Sequence, residues 1–266
     1  MENINQEELD ALEAIMEEQH KEIPVNSPSL LINDTTSRFS GAIWHDKIKE
    51  KTVTLAGVGG IGSWTALLLA KLDVQDIKMY DFDRVESANM AGQFYSVSQI
   101  GMAKVAAVAS SIRDYARYYD MTCYDERFTS GSLVSNIMIC GFDNMEARRT
   151  FFNSWVNMLK GMEDKSKALF IDGRLNAEEF QIFAIQGDNH IAIEKYKNEY
   201  LFDDSEVEEA ICSYKQTSFM SNMIASVMVN IFVNFVANEC NPIIPRDVPF
   251  FTSYTADTMF TKIIVV

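Results

Sequence analysis

Basic residues are scarce in this chain of 266 residues: 23 Lys and Arg stand against 38 Asp and Glu, a formal net charge of −15. A protein binds DNA or RNA by neutralising phosphates with a positive face, so this balance argues against a nucleic-acid-binding protein. The composition, 47% hydrophobic and 11% aromatic, is that of an ordinary packed protein and fits neither a disordered nor a fibrous one. We therefore expect a globular protein that does not bind nucleic acid.

Cysteine is also scarce, with four residues and no C-x-x-C pair, which argues against both a zinc clamp and a disulfide framework. The N-terminus lacks the basic start and the continuous apolar stretch of an export signal. Both observations predict a cytoplasmic location. The cysteines are Cys123, Cys140, Cys212 and Cys240.

The chain divides into three parts by pattern. Residues 1–22 place apolar residues on one face of an otherwise acidic helix and predict an amphipathic arm. Residues 23–37 hold two of the five prolines and several Ser, Asn and Thr residues, which is typical of an extended connector. Residues 38–266 form the predicted folded domain.

Strand-like and helix-like segments alternate from residue 51 to residue 186. Such β-α-β order is produced by a parallel sheet covered by helices. The pattern predicts an α/β fold: a doubly wound, Rossmann-like sheet, parallel or mixed, with helices on both faces. The last residues, 250–266, alternate and end in β-branched side chains, which predicts a final strand or hairpin.

The most apolar segment, residues 216–238, is long enough to cross a membrane. Asn and Ser nevertheless recur at every fourth position, which draws a polar stripe along one face of a helix. We therefore predict a helix buried at a protein interface and no membrane span. The stripe consists of Asn222, Ser226, Asn230 and Asn234.

A glycine-rich turn follows the first predicted strand. Gly57, Gly59 and Gly62 have G-x-G-x-x-G spacing, with Gly60 between them, at the point where a strand passes into a helix. Glycines allow the backbone to approach a phosphate, and the amino end of a helix attracts negative charge. The alternative is a turn that only packs the helix on the strand.

Acidic residues at the end of the second strand favour a nucleotide site over that alternative. Asp81 and Asp83 stand where a carboxylate accepts hydrogen bonds from ribose hydroxyls, and we assign Asp83 to the ribose and Asp81 to its support. Lys104 falls in the first turn of a later helix, where the helix dipole disfavours a cation and a nearby anion would compensate. These residues do not distinguish NAD from ATP.

Four motifs in order resemble the ThiF/MoeB and ubiquitin-activating enzyme superfamily over residues 38–237. They are G-x-G-G-x-G at 57–62, D-x-D-x-V-x-x-x-N at 81–89 with Gln93, G-x-x-K at 101–104, and D-N-x-x-x-R at 143–148.

The resemblance implies a function and a partner. Members of that superfamily bind ATP and Mg²⁺ and adenylate the C-terminal carboxylate of a small ubiquitin-like or sulfur-carrier protein, releasing pyrophosphate; a homodimer is also implied. Asp83 would hold the ribose, Asn89 and Lys104 the phosphates, and Asp143 the magnesium ion. Gln93 and Asn144 belong to the same implied nucleotide site.

Two positions depart from the superfamily pattern. Arginines usual in R-Y-x-R and N-L-x-R-Q are replaced here by Gly41 and Gly92. Losing an arginine that stabilises a transferring phosphoryl group costs roughly 10³-fold or more in rate in well-known cases. Either Arg38, Arg84 or another residue substitutes, or the chain is a nucleotide-binding or scaffolding relative with weakened chemistry. An NAD-dependent oxidoreductase needs only the glycine turn and its acidic partner and is the third hypothesis.

Two further residues have alternative roles. By resemblance, Cys212 lies where several activating enzymes carry a thioester-forming cysteine, but the acidic run before it disfavours a thiolate and a structural role is the alternative. Arg174 is a candidate for replacing the missing positive charge or for capturing a substrate carboxylate. The alternative for Arg174 is a structural ion pair with Glu178 or Glu179.

Overall fold

The structure is a computed structural model that describes residues 36–39, 41–202 and 216–266. By its internal contacts the chain separates into a unit of Met1–Ser37 and a unit of Arg38–Val266, and the second is the fold described below. The predicted arm at 1–22 lies outside the described residues, as do all but the last two residues of the predicted connector at 23–37.

One eight-stranded mixed sheet organises the second unit, with strand order β3-β2-β1-β4-β5-β6-β7-β8. The first five strands in this order are parallel to one another, and β6, β7 and β8 continue the sheet in antiparallel fashion. The predicted fold class and the C-terminal hairpin are therefore confirmed. The strands are β1 Thr52–Ala56, β2 Asp76–Tyr80, β3 Met121–Tyr124, β4 Ile137–Cys140, β5 Leu169–Asn176, β6 Glu179–Gln186, β7 Phe251–Thr255 and β8 Phe260–Ile264.

Helices cover both faces of the sheet. Two of them, at Ile43–Ile48 and at His190–Glu199, are not predicted by the sequence analysis; the second begins after Asn189, whose side chain accepts a hydrogen bond from the amide of Ala192. The helices among the described residues are α1 Ile43–Ile48, α2 Gly60–Lys71, α3 Lys104–Ala116, α4 Met145–Leu159, α5 His190–Glu199 and α6 Ser218–Asn238.

Two hydrophobic cores lie on opposite faces of the sheet. The larger core is mostly aliphatic and joins the sheet to α2, α3 and α6. The smaller core is rich in aromatic residues and joins the sheet to α4 and α5, with Trp155, Phe170 and Tyr196 fully buried. Neighbouring residues of a strand point to opposite faces, so Leu55 enters the first core and Ala56 the second.

Helix α6 is the long apolar segment of the sequence. Among the described residues it is the helix whose length and composition would allow it to cross a membrane, yet 61% of its apolar window is buried inside the protein. It packs against α2 and against strands β5 and β6. On the polar stripe, Ser226 and Asn230 are exposed. The apolar side of α6 therefore has its partners within this chain.

The strand order reverses between β1 and β4, because the chain runs outward from β1 to β3 and then returns to β4. Ligands of open α/β sheets bind in the crevice outside the carboxyl ends of the strands at such a reversal. The glycine turn follows β1 at this point, and Gly141 follows β4 beside it.

Candidate functional site

The glycine turn is a close approach of backbone segments. Gly57 has φ +80°, a conformation that favours glycine, and a Cβ there would lie 2.8 Å from the carbonyl oxygen of Gly141. A Cβ on Gly62 would lie only 1.8 Å from the carbonyl oxygen of Gly57. Helix α2 begins at Gly60 with Gly59 as its N-cap, which carries no side chain to bind the first amides. The amino end of α2 therefore presents N–H groups suited to an anion.

Asp81 fastens this turn to the end of β2. Its Oδ2 accepts a hydrogen bond from the amide of Val58 at 2.9 Å, and its Oδ1 accepts one from the amide of Asp83 at 2.9 Å. Burial raises the pKa of Asp81, while these amides and the charge of Lys104 oppose the rise. Asp81 thus lies beneath the turn and joins it to the start of the following loop.

Lys104 and Asp83 form an ion pair at the mouth of the site. The Lys104 Nζ donates to Asp83 Oδ2 at 2.9 Å, and the Lys104 amide donates to the Asp83 carbonyl. The lysine is almost buried, whereas the aspartate side chain is about half exposed. Lys104 is the first residue of α3, so the helix dipole opposes its charge and Asp83 supplies the compensating anion.

The loop after β2 brings two amide side chains to the same region. Asn89 Oδ1 accepts a hydrogen bond from the Glu86 amide at 2.8 Å and thereby caps a short 3-10 helix. Gln93 lies beside Gly59, with its Oε1 3.9 Å from the place a Cβ on that glycine would take. The Gln93 oxygen is buried and has no hydrogen-bond partner in the described part of the chain. An orphaned polar atom beside the amino end of α2 fits a site built for a polar ligand.

Asp143 and Asn144 follow β4 at the reversal of strand order. Asn144 caps α4, because its Oδ1 accepts a hydrogen bond from the Ala147 amide at 2.8 Å. Its Nδ2 donates to Asp143 Oδ1 at 3.2 Å, and both side chains are exposed. The described residues contain no group of three or more His, Cys, Asp and Glu side chains that could hold a metal. One exposed carboxylate still fits Mg²⁺, which takes one or two carboxylates together with phosphate oxygens and water.

The two glycines that replace arginines have different surroundings. Around Gly41 a Cβ would meet no atom of the described residues within 4 Å, so that position is open among them. At Gly92 a Cβ would lie 3.1 Å from Cγ of Gln216, and the Trp64 indole donates to the Gly92 carbonyl at 3.2 Å. Arg84, one candidate substitute, donates both of its short hydrogen bonds to Asp125, at 2.7 and 2.8 Å.

Arg174 takes part in a buried ionic network. The prediction of an ion pair with Glu178 or Glu179 is wrong, because the partner is Asp172. The arginine Nε donates to Asp172 Oδ2 at 2.7 Å, and Asp172 also accepts from Arg148 and from the Tyr196 hydroxyl. Asp172 and Arg174 lie two apart on β5 and therefore share a face. This pairing favours the structural role for Arg174.

The fully buried carboxylate of Asp172 is ionised within this network. Burial alone would raise the pKa of Asp172, but the charges of Arg148 and Arg174 and the hydrogen bonds from Arg174 and Tyr196 outweigh burial and lower it. Arg148, the last residue of the D-N-x-x-x-R motif, also donates to the carbonyls of Gly173 and Phe142. The motif arginine therefore ties α4 to β5 beneath the site.

Cys212 lies outside the described residues. Among the cysteines that are described, Cys140 is fully buried and burial raises the pKa of its thiol well above the ordinary value. Burial also raises the pKa of Cys123. High thiol pKa values disfavour a nucleophilic role for these two residues.

The predicted site residues at the glycine turn, β2, α3 and β4 thus converge at the carboxyl edge of the sheet. A cavity of about 320 Å³ lies instead at the opposite edge, lined in part by Thr52 at the start of β1 and Ile137 at the start of β4. We place the functional site at the carboxyl edge, because the free helix amides and the polar side chains gather there. Sequence reasoning missed Gln216, which carries no motif and reaches the site only through the fold.

Known proteins are similar to this chain in sequence and in structure. The profile of the ThiF family matches residues 33–262. Ubiquitin-like modifier-activating enzyme 5 of Bombyx mori is 33% identical over a match that covers 39% of this chain and 30% of the relative. The proteins of the same name from Caenorhabditis elegans and Gallus gallus are 32% and 33% identical, with 39% of this chain and 29% and 30% of the relatives covered. The matches span less than a third of these relatives.

Solved structures share the whole fold at low identity. The crystal structure of PaaA has a TM-score of 0.66 at 16% identity and covers 99% of this chain and 84% of that chain. Escherichia coli MccB with ATP has a TM-score of 0.65, and the microcin C7 biosynthetic enzyme MccB with N-formylated MccA has 0.68, both at 14% identity with 98% of this chain and 79% of that chain covered. Because the family profile matches residues 33–262, which is most of this chain, the chain belongs to the ThiF family.

Proposed function

We propose that this protein is an ATP-dependent adenylyltransferase that acts on a carboxylate, the C-terminus of a small ubiquitin-like or sulfur-carrier protein or of a peptide. The carrying observation is the convergence of the four motifs at one edge of the sheet, around the uncapped amino end of α2. Family membership, relatives named as ubiquitin-like modifier-activating enzymes, and neighbours solved with ATP and with MccA support the proposal.

In the proposed complex the nucleotide lies across the glycine turn. The amides at the start of α2 and the ammonium of Lys104 bind phosphate oxygens, and the carboxylate of Asp83 accepts hydrogen bonds from the ribose. Asn89 and Gln93 offer side-chain amides to the same ligand. Asp143 would hold Mg²⁺, which would neutralise phosphate charge, and Asn144 fixes the Asp143 carboxylate by its hydrogen bond.

The chemistry requires two anions to meet. An oxygen of the acceptor carboxylate attacks the α-phosphorus, the bond from that phosphorus to the bridging oxygen breaks, and pyrophosphate leaves with the electron pair. The protein has little acid–base work to do, because no proton must move in this step. Position and positive charge therefore carry the rate, and Lys104 at the amino end of α3 is the described cation best placed to supply charge.

The experiment is pyrophosphate–ATP exchange by the full chain with Mg²⁺ and a small β-grasp protein or peptide encoded beside its gene. Exchange that depends on a free C-terminal carboxylate supports the proposal, and the matched control is the same acceptor with an amidated C-terminus. No exchange with any such acceptor contradicts it. Sedimentation or light scattering of the same sample tests the homodimer that we also propose.

Gly41 and Gly92 favour a second candidate, a nucleotide-binding or scaffolding relative with weakened chemistry. The change Gly41→Arg is informative because that position is open. A large gain in the exchange rate on adding this arginine favours the second candidate. If exchange is already rapid in the unaltered chain and Gly41→Arg does not change its rate, the second candidate loses its support. Thermal stabilisation by NAD(H) and none by ATP with Mg²⁺ would contradict both and favour an oxidoreductase.

A further inference from the structure

Gln216 reaches the glycine turn from a distant part of the chain. It lies just before Thr217, whose side chain caps α6 by accepting from the Met220 amide. The Gln216 backbone forms an isolated β-bridge with Ala177. These two anchors hold the backbone at the glutamine and at the residue that follows it, and the side chain of Gln216 reaches α2.

The carboxamide of Gln216 fills the space between the start of α2 and the loop after β2. A Cβ on Gly60 would lie 1.8 Å from Gln216 Oε1 and 3.0 Å from Nε2, and a Cβ on Gly92 would lie 3.1 Å from Cγ. No other residue could stand at Gly60 without moving this side chain. The glutamine therefore occupies the room beside Gly92, the position where the superfamily pattern carries an arginine.

The chemistry of this carboxamide suits a phosphate. Its Oε1 is 3.4 Å from the Ser221 hydroxyl, which donates toward it, and its Nε2 carries two N–H donors. On the same turn, the buried Oε1 of Gln93 stands beside Gly59 without a partner in the described residues. A carbonyl oxygen accepts hydrogen bonds and does not attract an anion, so the groups offered to a phosphate here are the Nε2 of Gln216 and the amides at the start of α2.

This inference rests on the proposed function. We propose that Gln216 binds the phosphates of the nucleotide and replaces the arginine that the superfamily pattern has at the position of Gly92. The interaction is a neutral amide donor on an anionic acceptor. Such a contact depends less on salt than a guanidinium contact does. Because Gln216 would contact the phosphates and neither the sugar nor the base, we expect its loss to weaken the binding of a nucleotide with three phosphates more than that of a nucleotide with one.

The test is calorimetric titration of the full chain with ATP, ADP and AMP in the presence of Mg²⁺. Gln216→Met keeps the volume and removes the donor, and Gln216→Glu keeps the shape and adds a negative charge. We expect the Kd for ATP to rise about 10-fold or more in the Met variant and further in the Glu variant, with the Kd for AMP changed by less than about 3-fold. The matched control is Gln186→Glu, the same change at the end of β6 on the opposite edge of the sheet.

A second measurement guards against variants that fail to fold. In Gly92→Arg alone the new Cβ would lie only 3.1 Å from Cγ of Gln216, a contact that Gln216→Ala removes in the double variant. We expect the double variant to bind ATP more tightly than either single variant, a non-additive result.

Several outcomes would overturn the inference. ATP affinity that is unchanged in the Met variant, or equal losses for ATP and AMP, would show that Gln216 only packs. Tighter ATP binding by the Met variant would show that Gln216 blocks the site. Each of these results leaves the proposed function standing as long as the unaltered chain binds ATP, whereas an unaltered chain that binds no adenine nucleotide would contradict both proposals.

Discussion

Asp172→Asn is the sharpest test of the ionic network beneath the site. The substitution keeps the shape of the side chain and removes the charge that faces Arg148 and Arg174. Asp172 is fully buried and both arginines are nearly so, so two guanidiniums would be left with no counterion among the described residues. Removing one partner of a buried ion pair typically costs about 3–5 kcal/mol in the free energy of unfolding. For a domain of this size that corresponds to a fall in Tm of roughly 6–20 °C.

The matched control is Asp125→Asn. Asp125 also accepts two hydrogen bonds from one arginine, Arg84, but both side chains are about half exposed. An exposed pair contributes about 0–1 kcal/mol, so the control should lose little stability. Urea unfolding followed by circular dichroism measures both changes. Equal losses in the two variants would refute the role assigned to burial in the network.

The difference in stability between the unaltered chain and Asp172→Asn should depend on pH. The pKa of Asp172 lies below its ordinary value in the folded protein. Its charge therefore stabilises the fold above the ordinary pKa of about 3.9, and this contribution is lost as the pH falls through the lower folded value. We expect the gap in stability between the unaltered chain and Asp172→Asn to be constant from pH 7 to about pH 5 and to narrow only in stronger acid. A gap that closes near pH 6 would contradict this assignment.

Three further predictions concern the site itself. Gly62→Ala should prevent stable folding, because its Cβ would overlap the Gly57 carbonyl oxygen, whereas Gly41→Ala should be neutral; soluble yield and Tm check both. Asp143→Asn should abolish the Mg²⁺ dependence of ATP binding while leaving Tm unchanged, since the side chain is exposed, and a change in Tm alone would argue against the metal role. Asn144→Ala should cost about 1 kcal/mol of stability through the lost cap of α4, measured by urea unfolding.

The sequence predicted those parts of the fold and site that depend on local pattern. The alternation of strands and helices, the glycine turn at Gly57 and the position of Lys104 at the start of α3 all follow from short segments. The partner of Arg174 could have been found as well, because Asp172 stands two residues earlier on a strand and side chains two apart share a face. The sequence analysis instead predicts Glu178 or Glu179, the acidic residues that follow Arg174.

Other features depend on contacts that no local pattern carries. Helix α5 was missed although Asn189 is a good N-cap, because its short apolar pattern is weak and its helical state depends on burying Tyr196 in the aromatic core. Gln216 was missed because the glycines it contacts lie far earlier in the chain. The two glycines are visible in the sequence, but the side chain that occupies their space is known only once α6 is packed on α2.

Under the proposed function, the ion pair of Lys104 with Asp83 makes nucleotide entry an exchange of counterions. A phosphate that arrives at the lysine displaces the aspartate, and the freed carboxylate then needs hydrogen-bond donors, which the sugar hydroxyls supply. Recognition of the sugar and of the phosphate is thereby coupled through one side chain. We expect tripolyphosphate, which brings charge but no hydroxyls, to compete poorly with ATP, and 2′,3′-dideoxy-ATP to lose affinity although its phosphates are intact. Competition by tripolyphosphate as strong as that by ATP itself would show that the two recognitions are independent.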